Sequence, residues 1–552
     1  MSSVVALVFA YIALIWAVGI FFVQVIGLSR LLRFFTSPPP HPPVSPTLTH
    51  ERVPHVTIIR PVKGLEPELY ECIASTFRQD YPTDKLTIYL CVAETQDPAY
   101  PVLTKIVKDF PHFDACVFVE ADDPLLHGED GHINNLGPNP KIRNISRAYR
   151  EAKGDIIWII DCNVWIPRDT TGHMVDKLVG LGPDGQAVKP YKFVHQIPLV
   201  VDITPELQGR NTTDAQSLLS SSSDGDASTS SAAPLAKTPS TKSRSLIQRL
   251  LEHGGGRLDE MFMSTTHAKF YSAINTVGVA PCIVGKSNMF RKSHLDMLTD
   301  PAQNPNLPND REHPTGIDYF SSYICEDHLI GDLLWRSKIP GFANHGFVLG
   351  DFAIQPMDRM SVAAYIARRV RWLRARKWTV LAATLVEPGV ESLLCCAYLS
   401  FALTTVPWFN INLGIRSTWS AMFISWICGV SVWMIVDWYL FNRLHTGGTV
   451  AVDQDTPFFA KGTSRAGGVP KRNFLEWLTA WIGREVLALP IWTWAVLLGA
   501  TINWRGNNFR VRMDMSVVET DPVRPTARSR SPRTLTPEIE LGQCRRGKNR
   551  VD

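Results

Sequence analysis

The chain has 552 residues, 45% of them hydrophobic, and a formal net charge of +4 at pH 7. This length allows two or three domains with cores of their own. So small a net charge argues against a nucleic-acid-binding protein, and we expect no nucleic acid among its partners. The ten cysteines form no CxxC pair, which argues against a zinc module or a disulfide framework.

The first segment is apolar and uncharged from Val4 to Leu28. Its roughly 25 residues are enough to cross the hydrocarbon core of a bilayer. A signal peptide is the alternative, but the segment is too long for one and no basic residues precede it. Arg30 and Arg33 follow directly, so the positive-inside rule places the chain after them in the cytosol. We therefore predict a membrane-spanning helix in residues 1–29.

Residues 30–52 contain the proline-rich stretch TSPPPHPPVSP, which predicts an extended, semi-rigid tether. Beyond it, short apolar runs typical of buried strands alternate with amphipathic helical patterns. The four clearest strands are predicted at Val56–Val62, Leu86–Glu94, Cys116–Ala121 and Ile156–Asp161. This alternation predicts an α/β domain with a mostly parallel sheet in residues 53–378. Ligands bind such sheets at the carboxyl ends of the strands.

Three further segments depart from this pattern. Residues 203–256 are rich in Ser, Thr, Ala and Pro, so we predict a disordered insertion in a surface loop. Residues 379–508 form a C-terminal membrane region, with apolar segments at Val390–Phe409, Trp419–Phe441 and Val486–Ile502. The basic tail, residues 509–552, is predicted to be mostly disordered. Three full spans would place this tail across the membrane from the α/β domain, against the positive-inside rule. Either one segment is re-entrant or one splits in two.

Acidic residues stand where an α/β domain holds ligands. Asp161 ends the fourth predicted strand, and Asp97 follows the second. Glu326 and Asp327 open an amphipathic helical pattern. Each position also has an ordinary explanation, because aspartate forms turns and acidic residues favour helix N-termini. Taken singly, none of them establishes a site.

The most basic stretch, RRVRWLRARKW at Arg368–Trp378, lies directly before the apolar C-terminal region. Arginine and tryptophan side chains beside an apolar segment suit the membrane interface, which is the simplest interpretation. Arg368 and Arg371 also fall on neighbouring turns of one helix face, next to Trp372. Guanidinium groups in that arrangement are suited to a diphosphate group.

Taken in order, these features resemble the inverting membrane glycosyltransferases with three aspartate motifs and a (Q/R)xxRW motif. Among these, the chain resembles the ceramide glucosyltransferase family most closely. Eight segments carry the resemblance: RPVKG at Arg60–Gly64, DPA at Asp97–Ala99, NPKIRNI at Asn139–Ile145, HQIP at His195–Pro198, GKSNMFRK at Gly285–Lys292, EDH at Glu326–His328, RRVRW at Arg368–Trp372 and WRGNNFRVR at Trp504–Arg512. Two motifs depart from the family pattern. Asp161-Cys162-Asn163 stands in place of DxD, and HQIP in place of HxLP.

The resemblance implies a GT-A-like nucleotide-sugar transferase domain that transfers glucose from UDP-glucose to the primary hydroxyl of ceramide with inversion. It implies that Asp161 holds Mg²⁺ or Mn²⁺ as the cofactor. The residues implied to bind the nucleotide sugar are Lys63, Asp97, Lys141 and Asp161, and those implied to contact the diphosphate or the acceptor are His195, Arg368, Arg371 and Trp372.

The same resemblance implies that Asp327 is the catalytic base, with Glu326 supporting or replacing it. The expected surroundings are the lipid bilayer of the Golgi, with the catalytic domain facing the cytosol. Three alternatives remain: a related transferase for another sugar nucleotide or lipid such as a polyprenyl phosphate, a processive polysaccharide synthase, and a membrane scaffold of this fold without catalysis. The synthase usually needs more spans. A scaffold has no physical reason to keep Asp97, Asp161, Asp327 and RxxRW together.

Overall fold

The structure is a computed structural model that describes residues 4–127, 136–205, 246–305, 307, 314–504 and 507–520. Its first seven strands form one mixed sheet in the order β3-β2-β1-β4-β6-β5-β7, and three later strands form a separate antiparallel sheet. The strands are β1 Val56–Pro61, β2 Leu86–Val92, β3 Asp114–Val119, β4 Ile156–Ile160, β5 Tyr191–Asp202, β6 Ser287–Arg291, β7 Ala343–Met357, β8 Thr501–Trp504, β9 Asn507–Val511 and β10 Val517–Thr520.

The helices of the N-terminal half are α1 Val4–Phe34, α2 Leu69–Ala74, α3 Tyr100–Asp109, α4 Pro124–His127, α5 Pro140–Arg150, α6 Thr170–Val179, α7 Leu246–His253, α8 Gly255–Ser264 and α9 Thr266–Val277. Those of the C-terminal half are α10 Lys292–Thr299, α11 Glu326–Arg336, α12 Val362–Arg376, α13 Leu381–Val386, α14 Ser392–Thr405, α15 Pro407–Leu413, α16 Trp419–Leu444, α17 Phe458–Lys461 and α18 Phe474–Trp492.

The centre of the large sheet is parallel, as predicted. Strand β1 pairs in parallel with β2 on one side and β4 on the other, and all six of its residues are buried. Burial on both faces explains why these strands read as continuous apolar runs. All four predicted strands are present. Strand β6 then pairs antiparallel with β4, with Ile160 opposite Ser287. The residues just before β6 therefore lie at the carboxyl end of β4.

The N-terminal helix is longer than predicted and is joined firmly to the α/β domain. It continues to Phe34, and Phe35 packs against Phe352 of β7 with ring centroids 4.9 Å apart. The stretch that follows, predicted as an extended, semi-rigid tether, also contacts the α/β domain. The backbone N–H groups of Val44 and Ser45 donate to the Asp176 carboxylate over 2.6 and 2.7 Å. These two hydrogen bonds to a buried acceptor hold the proline-rich stretch against α6.

The predicted insertion ends earlier than residue 256. Residues 206–245 lie outside the described residues, but helix α7 begins at Leu246 and α8 follows it. Arg257 of α8 pairs with Asp202 at the end of β5 over 2.9 Å. This buried ion pair fixes α8 against the sheet, so the last residues assigned to the disordered insertion belong to the folded domain.

Two helices among the described residues, α1 and α16, are long and apolar enough to cross a membrane. The predicted segment Val390–Phe409 instead falls on a bent pair, residues 381–390 and 392–405, with an angle of 74° between its two halves. That geometry fits a broken span or a re-entrant loop, as one expected alternative had it. The segment Val486–Ile502 is not one regular α-helix. Helix α18 passes into a short π-helical turn at Thr493–Leu497, and Ile502 lies in β8.

The folded region also extends further towards the C-terminus than predicted. Strands β9 and β10 lie within the predicted tail, and Phe509 is completely buried beside Ile502 and Val517. Alternating apolar side chains on these short strands form a small core with β8. Residues 521–552 lie outside the described residues.

Candidate active site

A cavity of about 450 Å³ opens at the carboxyl ends of β1 and β4, beneath the first turns of α5 and α11 and one face of α12. This volume is typical of ligand sites, which span about 300–1,000 Å³. Seven of the nine predicted site residues line it: Lys63, Lys141, Asp161, Asp327, Arg368, Arg371 and Trp372. The strand-end rule and the cavity thus point to the same end of the sheet.

Asp161, directly after β4, has an ammonium group on each carboxylate oxygen. Lys141 Nζ lies 3.1 Å from Oδ1, and Lys286 Nζ lies 3.0 Å from Oδ2. Burial alone would raise the pKa of Asp161, but the two lysines outweigh it and hold the pKa well below its ordinary value. Lys286 Nζ also donates to the side-chain oxygen of Asn163 over 3.0 Å. The oxygens of Asp161 and Asn163 thus converge on one cationic group.

Lys141 lies in the first turn of α5, and its position is set by the cap of that helix. The side-chain oxygen of Asn139 accepts a hydrogen bond from the Lys141 backbone N–H over 2.8 Å, as an N-cap residue does. Lys141 Nζ also contacts Glu326 Oε1 at 3.1 Å. Burial lowers the pKa of Lys141, but Asp161 and Glu326 more than compensate and raise it. This lysine therefore stays charged and links the strand-end carboxylate to helix α11.

Glu326 and Asp327 in the first turn of α11 occupy different surroundings. Glu326 is 5% exposed, and its second oxygen accepts from Asn139 Nδ2 over 3.2 Å. Asp327 faces the cavity and packs closely against Gly285, since a Cβ on that glycine would lie 2.6 Å from Asp327 Oδ2. Burial raises the pKa of both carboxyls, and Lys141 opposes the rise. Both carboxyls line the cavity, but Glu326 is the more deeply buried and is already bonded to Lys141 and Asn139.

Different residues of the basic stretch Arg368–Trp378 make different kinds of contact. Arg368 lines the cavity, stacks on Trp372 with its guanidinium carbon 4.6 Å from the ring centroid, and lies 3.4 Å from Asp259. Arg371 and Trp372 line the same wall. The cationic and aromatic groups of RxxRW therefore face the cavity, as predicted.

Two other basic residues of this stretch, Arg374 and Lys377, bind backbone carbonyl groups instead. Arg374 donates to the backbone oxygens of Trp494 and Thr501, over 3.2 and 2.6 Å, and Lys377 donates to that of Val496 over 2.6 Å. These bonds satisfy carbonyl groups at the end of α18 and after it, where a helix leaves its last acceptors unpaired. The stretch is thus both a wall of the cavity and a cap for a membrane-region helix.

Two predicted site residues do not line the cavity. Asp97 is 7% exposed, and its carboxylate accepts from the Gly64 backbone N–H over 2.9 Å and from that of Ala99 over 2.8 Å. It holds the loop that carries Lys63. His195 is completely buried in β5, where its ring hydrogen-bonds Tyr271 and stacks on Phe347. Its expected direct contact with the diphosphate or the acceptor does not fit this position, because apolar packing surrounds the ring.

Several polar lining residues were not predicted as site residues, among them Lys286, Asn163 and Arg376. Lys286 lies in the GKSNMFRK segment and Asn163 in the Asp-Cys-Asn segment, so motif position alone would have suggested both. Arg376 pairs with Glu387, and burial together with Arg369 lowers its pKa to about 10. No local signal distinguishes it from the other basic residues of the stretch.

A strand-end cavity with acidic and basic groups, built directly against apolar helices, fits the expected class of membrane-associated transferases. Residues 11–194 and 251–517 match the family described as Glycosyl transferase family 21. The chain belongs to this family. Family membership and the mixed, mostly parallel sheet together confirm the expected GT-A-like α/β fold class.

Curated relatives match this chain over most of their length. The chain is 57% identical over 514 residues to a ceramide glucosyltransferase of Pyricularia oryzae, covering 92% of this chain and 94% of the relative. It is 52% identical over 528 residues to one of Gibberella zeae, covering 96% of both chains. A ceramide glucosyltransferase of Candida albicans is 34% identical over 499 residues, covering 84% of this chain and 88% of the relative.

Proposed function

We propose that this chain transfers glucose from UDP-glucose to the primary hydroxyl of ceramide, with inversion at the anomeric carbon. The observation that carries the proposal is the composition of one cavity. Asp161 at a strand end, Asp327 at a helix start and Arg368 and Arg371 of RxxRW all face the same space. The names of the relatives supply the sugar and the lipid.

The basic side chains account for binding of the donor. Lys141 and Lys286 lie on the two oxygens of Asp161, and Arg368 and Arg371 line the opposite wall. A diphosphate that leaves as UDP gains negative charge in the transition state, and fixed cationic donors stabilise that charge. Lys63, whose loop is held in place by Asp97, lies just beyond the carboxyl end of β1, where we place the nucleotide.

Asp327 is the proposed catalytic base. The hydroxyl oxygen of the acceptor attacks the anomeric carbon from the face opposite the diphosphate. Its proton passes to the Asp327 carboxylate, while the bond between the anomeric carbon and the phosphate oxygen breaks and its electron pair leaves with UDP. A single displacement needs one base, and Glu326 is already bonded to Lys141 and Asn139. Glu326 therefore serves to position Lys141.

The donor set at the strand end fits the expected Mg²⁺ or Mn²⁺. Within the described residues, no three His, Cys, Asp or Glu side chains form a ready metal cluster. Mg²⁺ needs no such cluster, because it commonly binds through one or two carboxylates plus the phosphates of a substrate. Asp161 and Asn163 already converge on a cation, the Lys286 ammonium. The bound ion would add positive charge beside the diphosphate.

The membrane supplies the acceptor. Helix α1 carries Arg30 and Arg33 directly after its apolar part, so we place the cavity on the cytosolic side, as the positive-inside rule predicts. The Golgi remains the proposed compartment on the strength of the family resemblance. A site built against apolar helices suits an acceptor too hydrophobic to leave the bilayer.

The deciding experiment uses membranes that contain the full chain, labelled UDP-glucose and ceramide. We expect the wild type to form glucosylceramide and Asp327→Asn to lose roughly 10²-fold or more in rate, the usual contribution of a positioned base. Asp332→Asn on the same helix is the matched control, since Asp332 pairs with Arg336 and does not line the cavity.

Each outcome has a distinct meaning. A folded wild type that forms no product would refute the proposed substrates, and other sugar nucleotides and polyprenyl phosphates would be tested next. Full activity in Asp327→Asn would keep the reaction but assign the base to Glu326. Equal losses in both variants would indicate damage to α11 rather than loss of a base.

A further inference from the structure

A second space lies in the membrane region, away from the strand ends. It is a groove of about 590 Å³ between α1, the bent pair α13–α14 and α18. Its walls are almost entirely apolar, with Phe9, Ile12 and Trp16 from α1, Tyr398 and Phe401 from α14, and Leu489 from α18. Ile12 is 58% exposed and Phe9 is 61% exposed, so the groove opens on the surface that faces lipid.

The bend between α13 and α14 creates this groove. The two halves of the pair meet at 74° around residue 391. Two contacts hold the bend: Trp16 Nε1 donates to the Gly389 backbone oxygen over 2.8 Å, and Arg484 pairs with Glu391 over 2.7 Å. A side chain at position 389 would clash, since a Cβ there would lie 2.9 Å from Trp16 Nε1. The groove is therefore a built feature of the fold.

A small space, the junction, lies between the groove and the active-site cavity and shares lining residues with both. Phe262 and Arg369 line both the cavity and the junction, and Pro388 and Trp492 line both the junction and the groove. The junction holds only about 20 Å³, room for about one water molecule. Arg369 pairs with Glu387 across it over 3.1 Å. The apolar groove is thus followed by the polar junction and then by the active-site cavity.

This order matches the chemistry of one kind of molecule. A lipid with hydrocarbon chains, hydrogen-bonding groups next to them and a terminal hydroxyl has the same sequence of parts. We propose that the groove binds a hydrocarbon chain of the lipid acceptor, with the polar end of the acceptor on the side of the junction and the cavity. The proposal rests on the proposed function for the identity of that acceptor. It assigns a binding site to the hydrocarbon chain of the acceptor, which the catalytic residues do not contact.

The first test fills the groove. Ile12→Trp places a larger side chain in the groove, and Ile15→Trp is its matched control, because Ile15 is a lipid-exposed isoleucine of the same helix that does not line the groove. KM is measured for UDP-glucose, for long-chain ceramide and for a ceramide with both chains truncated. We expect Ile12→Trp to raise KM for long-chain ceramide by roughly tenfold, as for about two methylenes that lose their contacts.

The other two KM values are expected to stay within twofold of the wild type, and Ile15→Trp is expected to match the wild type for all three substrates. An equal rise for both ceramides, or the same rise in Ile15→Trp, would overturn the proposal.

The second test does not depend on turnover. The full chain in phosphatidylcholine vesicles is photolabelled with a ceramide that carries a diazirine in its chain, and the labelled peptides are mapped. Label on residues 9–16 or 385–401 that excess ceramide displaces supports the proposal. Label at other positions refutes the proposal. The proposal is also refuted if excess ceramide does not displace the label and a phospholipid that carries a diazirine labels the same residues, since bulk lipid would then be the occupant. Glucosylceramide formation in the same vesicles separates failure of this proposal from failure of the proposed reaction.

Discussion

Lys286 is the site residue whose role can be tested most sharply. Its ammonium lies 3.0 Å from Asp161 Oδ2 and 3.0 Å from the Asn163 side-chain oxygen. It therefore makes two charge-assisted hydrogen bonds at the position proposed for the diphosphate. Lys286→Met removes the charge and keeps an unbranched side chain of similar length. Asp161 retains Lys141 at 3.1 Å, so the variant leaves no buried carboxylate without a cation.

The expected cost follows from these contacts. A hydrogen bond to a charged group contributes about 1.5–3 kcal/mol. If that contribution is made mainly in the transition state, kcat/KM for UDP-glucose falls by roughly 10- to 150-fold. The assay is transfer of labelled glucose to ceramide at varied UDP-glucose, with the thermal midpoint measured on the same preparation.

Lys292→Met is the matched control for this experiment. Lys292 starts α10 directly after β6 and pairs with Asp296 over 2.6 Å, outside the cavity lining. We expect its kcat/KM to match the wild type. A Lys286→Met enzyme within twofold of wild-type kcat/KM and with an unchanged midpoint would refute the assignment of this ammonium to the donor.

Three further predictions concern pH, metal and stability. Burial raises the pKa of Asp327, and the base must be deprotonated. As the pH is lowered, kcat should therefore begin to fall at a higher pH than it would with an aspartate of ordinary pKa. Lys141→Met, which removes the opposing ammonium, should move that acid limb further up, and a pH–rate profile with a limb moving down would contradict the geometry. Chelation with EDTA should lower transferase activity, and added Mg²⁺ or Mn²⁺ should restore it. Unchanged activity in EDTA would mean that the lysines alone supply the positive charge beside Asp161. His195→Phe should lower the thermal midpoint because it removes the bond to Tyr271, at about 0.5–1.5 kcal/mol. KM for both substrates should not change, and a selective rise in KM for ceramide would instead show a direct role.

The catalytic domain was largely predictable because its signals are local. Apolar runs at β1 and β4 predicted buried parallel strands, and the strand-end rule then predicted Asp161 as a ligand-facing residue. Lys286 was not predictable in this way. It comes into the site because β6 runs antiparallel beside β4, and a pairing between strands over 120 residues apart in the chain leaves no periodic signal.

Membership in a motif also did not guarantee a position on the wall of the cavity. Asp97 and His195 belong to recognisable segments, yet one fixes a loop and the other packs in the core. In the membrane region, hydropathy located the apolar segments but not the break near Glu391. The break depends on an ion pair with Arg484, which lies on another helix. Such tertiary contacts decide where a helix bends, and composition does not encode them.

The contact between Phe35 and Phe352 has a mechanical consequence. The ring at the end of the membrane helix is part of the core of the α/β domain, so the anchor and the enzyme are packed together at this point. The height of the catalytic cavity above the bilayer is then a property of the protein, and lengthening the proline-rich stretch would not let the cavity reach further. A tilt of the anchor in a thinner or thicker bilayer would instead tilt the whole enzyme. Membrane thickness would thereby change how the lipid acceptor meets the site.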